Sequence, residues 1–135
     1  MKIEAELKTI EYMKPEEMTE FSAWVWTVRE LGMFDPDVMT YPRSMMLKAR
    51  DDNGALLYVP LQPVFMYETI VAKPGIKPRK EALSLLRINQ LVEQAQRDAG
   101  YGESYFICRD DRIADLCARH GFEELKNVRV LKHKA

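Results

Sequence analysis

The sequence predicts a mixed α/β fold, organised as one domain over residues 1–135, with a largely antiparallel sheet and one parallel crossover. Three observations predict this fold class. Segments with the two-residue period of strands alternate with segments that have the helical period of 3.6 residues. These segments follow the order β-α-β-β-β-α-β-α-β-β. The composition, 47% hydrophobic and 30% charged residues, is usual for a globular chain long enough to bury one core.

The N-terminal part predicts a strand followed by a helix. Apolar and charged residues alternate from Ile3 to Thr9, as in a half-buried strand. Pro15 and the two acids after it are typical of the first helical turn, where acids meet the positive end of the helix dipole. We expect this helix to end between positions 29 and 32. Its predicted apolar face comprises Met18, Phe21, Val25 and Val28.

A loop and a hairpin come next. The Gly32–Pro42 segment has the prolines and aspartates of a loop, but it is unusually apolar for one. It either covers the core or forms one wall of a substrate site. Strands are predicted over Ser44–Arg50 and Ala55–Leu61. The turn Asp51–Gly54 joins them, and its Asn-Gly pair is suited to the positive φ angles of a tight hairpin.

The central part of the chain predicts a strand, a basic loop and a long helix. The aromatic and β-branched run Val64–Ala72 contains no Gly or Pro and predicts a strand. The loop Lys73–Arg79 follows, and a helix is predicted from Lys80 to Ala99. Apolar residues at steps of three and four predict one buried face. That face comprises Ala82, Leu85, Ile88, Val92, Ala95 and Ala99.

The C-terminal part predicts a strand, a short helix and a closing hairpin. Ser104–Cys108 has the composition of a short buried strand. Asp110 is suited to cap the helix that follows. The hairpin is predicted from Phe122–Leu125 and Val128–Leu131. The apolar face of the short helix comprises Ile113, Leu116, Cys117 and His120.

Composition and charge argue against several function classes. The formal net charge is −1, so the chain is not a polycation, and we expect no nucleic-acid partner. Two cysteines are too few for a disulfide scaffold, which favours a reducing compartment. No apolar run is long enough for a membrane span or a signal peptide. We therefore expect a cytoplasmic protein without a membrane partner, and the oligomeric state, a homodimer included, stays open.

The basic loop before the long helix is the strongest functional signal in the sequence. Its cations are Lys73, Lys77, Arg79 and Lys80. Unpaired backbone N–H groups at a helix N-terminus attract anions, and the helix dipole adds to this attraction. The sequence therefore predicts that the loop binds a phosphate-bearing ligand.

The order of the elements and two motifs resemble the GNAT superfamily of acyl-CoA-dependent N-acetyltransferases, over nearly the whole chain. The family's first motif is an apolar-x-Pro strand end, then Arg/Gln-x-x-Gly-x-Gly/Ala, then a Leu pair. The corresponding segments here are Ala72–Pro74, Lys77–Ala82 and Leu85–Leu86. The second motif is Asn, a Tyr seven residues later, and then Gly-Phe. The residues at those spacings are Asp110, Cys117, Gly121 and Phe122.

The loop departs from the family pattern at several positions. Lys80 replaces a glycine, Lys77 replaces the leading Arg/Gln, and Pro78 lacks an amide donor. Two interpretations stay open. In one, Lys77, Arg79 and Lys80 bind the phosphates of CoA through their charges. In the other, Lys80 fills the phosphate pocket and CoA binding has been lost.

The resemblance implies a transferase that moves an acetyl group from acetyl-CoA to an amine. In the family, the central strand supplies a backbone N–H for the thioester oxygen and accepts the pantetheine arm. The acceptor, a small molecule or a peptide amine, is not encoded in any recognisable motif. The residues implied to bind acetyl-CoA are Ile70, Val71, Ala72, Lys77, Arg79, Lys80, Glu81, Ala82 and Asp110.

Two residues are candidates for proton transfer. Glu68 is expected in an apolar row, where desolvation makes a carboxylate a stronger base, or else at the open sheet edge in water. Cys117 stands where the family has the tyrosine that protonates the CoA thiolate, or else it is a small buried hydrophobe. No metal is predicted, because Cys108, Cys117 and His120 lack a fourth zinc ligand.

Three function classes agree with the sequence. The first is the acyl-CoA-dependent N-acyltransferase. The second is a GNAT-fold module without catalysis, kept for binding or assembly. The third is a polyanion binder that uses the basic loop, which is the weakest because the patch is small and acids outnumber bases in the chain.

Overall fold

The computed structural model describes residues 2–29 and 34–135, with the backbone alone at positions 28 and 29. In this part of the chain the fold is mixed α+β, with three α-helices, a small antiparallel sheet and a parallel strand pair. The mixed fold class predicted from the sequence is therefore confirmed at this level. The chain divides into two compact units. Unit 1 comprises Met1–Phe65 and Val92–Tyr105, and unit 2 comprises Met66–Leu91 and Phe106–Ala135.

The helices and strands have the following bounds. The α-helices are α1 (Pro15–Arg29), α2 (Pro78–Ala99) and α3 (Asp111–Arg119). The strands are β1 (Glu4–Thr9), β2 (Met45–Asp51), β3 (Gly54–Leu61), β4 (Phe65–Tyr67) and β5 (Ser104–Phe106). Short 3₁₀ helices cover Ile10–Tyr12 and Pro36–Thr40.

Unit 1 contains the antiparallel meander β1-β2-β3. Leu7 of β1 lies opposite Leu47 of β2, so residues of like polarity share a face of the sheet. The predicted hairpin between β2 and β3 is present, and of the Asn-Gly pair Gly54 has the expected positive φ, +123°, whereas Asn53 does not. The Asn53 N–H donates to the Asp51 carboxylate at 2.8 Å, which adds a side-chain hydrogen bond to the turn.

The core of unit 1 lies between α1 and the sheet. Its buried residues are Met13, Phe21 and Met46. Phe34 and Met39 of the predicted loop pack against this cluster, so the interpretation of that segment as a cover over the core is confirmed. Positions 30–33, which include the expected end of α1 and the start of the loop, lie outside the described residues.

The predicted buried face of α2 is confirmed at Ala82, Leu85, Val92 and Ala99, and it is wrong at two positions. Ile88 is 50% exposed and Ala95 is exposed, whereas Asn89 and Gln96 are half-buried. Each of these amides has a specific partner. The Tyr67 hydroxyl donates to Asn89 Oδ1 at 2.8 Å, and Gln96 Nε2 donates to the carbonyl of Gly102 at 2.9 Å. At these two turns of the helix, amide side chains with hydrogen-bonding partners therefore take the inward positions.

Several predicted elements are shorter, shifted or absent, and among them β5 ends at Phe106 instead of the predicted Cys108. The central strand covers only Phe65–Tyr67, and residues 68–72, which were also predicted to belong to it, are not in a strand. Helix α2 begins at Pro78, two residues early, since proline suits the first helical position. The closing hairpin is wrong: residues 122–135 contain no strand, although Asn127 has φ +61° at the predicted turn. An isolated hairpin that buries no apolar face gains too little to form.

Candidate functional site

A cavity of about 250 Å³ opens in unit 2 where the parallel strands β4 and β5 end. One wall consists of residues 68–70 and 72, which follow β4. The other wall consists of residues 106–110, at the end of β5. Glu81 of α2 and Ile113 of α3 complete the lining. The cavity therefore lies between the two chain segments that follow the strand pair.

The wall after β5 is held by the start of α3. The Asp110 carboxylate accepts hydrogen bonds from the N–H groups of Arg112 at 2.9 Å and Ile113 at 3.3 Å. The predicted helix cap is thus confirmed, and it occupies a carboxylate oxygen of this residue. Cys108 donates its Sγ–H to the Asp110 carbonyl at 3.3 Å. Both contacts fix the course of the backbone along the cavity.

An ion pair joins α2 to α3 beside the cavity. Glu81, in the first turn of α2, accepts from Arg112 at 2.5 Å. The Glu81 side chain is only 15% exposed, whereas that of Arg112 is 57% exposed. Because Arg112 pairs with it, the Glu81 carboxylate adds no unpaired negative charge to the cavity lining.

Glu68 lies at the rim of the cavity. Its side chain is exposed, so the predicted burial in an apolar row is wrong, and the alternative position in water is the observed one. Ile70 is half-buried, packs on the core of unit 2 and also lines the cavity. Val71 is 89% exposed and points away from the core. Ala72 is exposed and lines the cavity.

The basic loop forms a tight turn that leads into α2. The Ile76 N–H donates to the Lys73 carbonyl at 3.0 Å, and Gly75 has φ +77°. This Pro-Gly sequence suits a type II turn, where only glycine adopts the positive φ without strain. The Glu81 N–H then donates to the Lys77 carbonyl at 3.0 Å. The loop thus delivers its cations to the first turn of the helix.

The basic side chains themselves remain in solvent. All of the following are exposed: Lys73, Lys77, Arg79 and Lys80. Within the described ranges they form no recorded side-chain ion pair, and they do not line the cavity. Ala82, the last residue of the loop motif, is half-buried and also lies away from the lining.

Cys117 is part of the core of unit 2. It is 4% exposed and packs in a cluster with Leu85 and Ile113. Burial raises the pKa of its thiol, and the nearby Cys108 raises it further. This placement agrees with the interpretation of Cys117 as a small buried hydrophobe. His120, expected on the same inner face, is exposed at the end of α3.

The structure brings together about half of the predicted site. The cavity lining includes Glu68, Ile70, Ala72, Glu81 and Asp110. Cys108, Arg109 and Thr69 also line it and were not predicted as site residues. The available signal for Cys108 was its position two residues before a helix cap, at the end of a strand. This position indicates a site residue only when the structure shows that β5 ends at Phe106 and that the residues after it line a cavity.

Comparison with known proteins found no matching family model, no matching curated protein and no matching solved structure. Among the described residues, no group of three or more His, Cys, Asp or Glu side chains is arranged to hold a metal ion. The described helices include none with the length and apolarity that crossing a membrane requires.

Proposed function

We propose that this protein is an acyl-CoA-dependent N-acyltransferase with a GNAT-like fold, which transfers an acetyl group from acetyl-CoA to an amine. The observation that supports this proposal is the cavity between the segments that leave β4 and β5. In the family that the sequence resembles, the central strand accepts the pantetheine arm, and the predicted central strand Val64–Ala72 includes the segment that follows β4. Here that segment contains Glu68, Ile70 and Ala72, which line the cavity.

The size of the cavity suits the thioester end of acetyl-CoA. Its volume of about 250 Å³ is below the roughly 300–1,000 Å³ of pockets that enclose a drug-sized ligand. The nucleotide would then lie outside the cavity. The exposed Lys77, Arg79 and Lys80 belong to the same unit, and they would bind its phosphates, the lysines as point charges and the arginine through its guanidinium donors.

The chemistry assigns a role to each wall. The backbone of residues 70–72 supplies an N–H for the developing negative charge on the thioester oxygen. The exposed carboxylate of Glu68 receives the proton of the attacking amine, directly or through a water molecule. Ile70 and Ile113 provide an apolar surface that limits hydrolysis at the thioester.

A catalytically inactive binding or assembly module is the second candidate. The exposed position of the basic side chains, away from the cavity lining, favours it. So does Pro78 at the first position of α2, because it removes a backbone N–H from the expected phosphate cradle. On this proposal the cavity is a remnant of a cofactor site.

Acetyl-CoA binding separates the two candidates. Thermal unfolding with acetyl-CoA should show a stabilisation of about 2.7 kcal/mol at a hundred times the dissociation constant. Adenosine 3′,5′-bisphosphate serves as the control for binding through phosphates alone. Release of free CoA is then followed with amino acids, polyamines and lysine peptides as acceptors. Absence of any shift at millimolar acetyl-CoA would contradict the transferase proposal, and binding without release would favour the inactive module.

A further inference from the structure

Cys108 lines the cavity, and its side chain also packs against the core of unit 2. The residue lies in the wall of residues 106–110 and is half-buried. Its Sγ–H donates to the Asp110 carbonyl at 3.3 Å. Because the Asp110 carboxylate caps α3, the partner of the thiol belongs to a fixed helix start. A proton donor is therefore held at the wall of the space that the proposed function assigns to a thioester.

The other cysteine lacks this access. Cys117 is 4% exposed, packs with Leu85 and Ile113, and does not line the cavity. A general acid must come within hydrogen-bond reach of the atom that it protonates. The position that matches the tyrosine of the GNAT motif therefore carries a thiol without contact to the cavity, whereas Cys108 has that contact.

We propose, on the basis of the proposed function, that Cys108 is the catalytic residue that protonates the departing sulfur. The amine nitrogen attacks the acyl carbon and forms the C–N bond. The C–S bond breaks, and its electron pair stays on the sulfur of CoA. The Sγ–H proton passes to that sulfur, and the Cys108 thiolate is reprotonated by the proton that the nitrogen gives up through Glu68 or water. The products are an amide and a free thiol.

The energetics of this transfer are favourable for a cysteine. Donor and acceptor are the same chemical group, an alkyl thiol, so the transfer breaks one S–H bond and forms another. The hydrogen bond that Cys108 gives up is a weak one, because a thiol is a weak donor. The Sγ–H can therefore turn from the Asp110 carbonyl toward a ligand sulfur without a large penalty.

The test compares leaving groups of different acidity. S-acetyl-N-acetylcysteamine releases an alkyl thiolate that needs a proton, whereas phenyl thioacetate releases thiophenolate, which departs without one. Cys108→Ala should slow transfer from acetyl-CoA and from the cysteamine ester about 100-fold, but transfer from the phenyl ester less than about threefold. Ser84→Ala, which removes an exposed hydroxyl of α2 outside the cavity, is the control and should keep all three rates.

Each other outcome has a definite meaning. If Cys108→Ala slows transfer from the cysteamine ester and the phenyl ester equally, or leaves turnover unchanged, the assignment of Cys108 is overturned. The proposed function still stands in that case, provided that the wild-type protein transfers the acetyl group. A selective loss in Cys117→Ala also overturns the assignment. A wild-type protein that neither binds nor cleaves acetyl-CoA overturns both proposals. Cys108→Ser provides the same comparison with a side chain of similar size, and acetyl-CoA binding by calorimetry shows that each variant retains the site.

Discussion

Glu17 is a buried carboxylate in unit 1 that three donors hold in place. It is 8% exposed and accepts hydrogen bonds from Lys8 Nζ at 2.9 Å, the Lys14 N–H at 3.0 Å and Lys48 Nζ at 3.1 Å. Burial by itself raises the pKa of the carboxyl, but these three donors outweigh it and lower the pKa to about 2. The residue thereby ties α1 to β1 and β2.

Stability should therefore fall in acid. The pKa of Glu17 in the folded protein lies below the unfolded value, so its contribution is complete above about pH 5 and is lost as pH falls toward 2. Glu17→Gln should remove on the order of 1 to 2 kcal/mol at pH 7, after screening at the surface is allowed for, and should flatten this acid limb. Urea unfolding at pH 7 and pH 3 measures both effects. Glu16→Gln, an exposed neighbour, is the control, and an equally steep acid limb in Glu17→Gln would contradict the assignment.

Glu68 allows a separate test of the chemistry. Because it lies exposed at the cavity rim, Glu68→Gln should lower acetyl transfer about 100-fold and leave acetyl-CoA affinity unchanged. Steady-state kinetics and calorimetry measure the two quantities. Asp52→Asn in the β2–β3 turn is the matched control. Equal turnover in the wild-type and Glu68→Gln proteins would remove this carboxylate from the mechanism.

At the scale of elements, local periodicity predicted the helices and the hairpin of unit 1 well. The β2–β3 hairpin, the cap at Asp110 and the three α-helices depend on neighbours within a few residues, and the structure has all of them. The inward positions of Asn89 and Gln96 on α2 were not predictable in this way. Asn89 lies inward, where it accepts a hydrogen bond from Tyr67, 22 residues earlier in the chain, and Gln96 donates to the carbonyl of Gly102 in the turn after the helix.

The start of α2 provides a test at this scale. If the nucleotide of CoA lies along the first turn, the double change Lys77→Glu and Lys80→Glu should raise the acetyl-CoA dissociation constant at least tenfold, about 1.4 kcal/mol. The reversal places negative charges where phosphates are expected. The matched control is Lys132→Glu with Lys134→Glu, in the exposed C-terminal segment. Unchanged affinity in the first variant, measured by calorimetry, would place the cofactor elsewhere.

At the scale of the whole molecule, the C-terminal segment contributes little packing beyond its first residue. Phe122 packs against the Tyr67 ring, with ring centres 5.9 Å apart. The apolar residues that follow are all more than half exposed: Leu125, Val128, Val130 and Leu131. The period of a strand is present there, but no described strand pairs with it.

Truncation tests this arrangement. Removing residues 126–135 should change the free energy of unfolding by no more than about 0.5 kcal/mol, as is usual for exposed positions. Phe122→Ala should cost roughly 2 to 3 kcal/mol, less than a fully buried phenylalanine, because the ring is only partly buried. Urea denaturation measures both. A loss of several kcal/mol on truncation would show that the predicted closing hairpin forms after all.

The sequence by itself determined the mixed α/β class, most helix bounds, the β2–β3 turn and the basic character of the α2 start. These features follow from the spacing of apolar residues, from capping groups and from turn residues, all of which act over short distances along the chain. Only the tertiary structure decided how far β4 and β5 remain paired, that Glu68 is exposed, and that Cys108 rather than Cys117 lines the cavity. Strand pairing and burial depend on partners far away in the chain, and no local pattern specifies whether those partners are present.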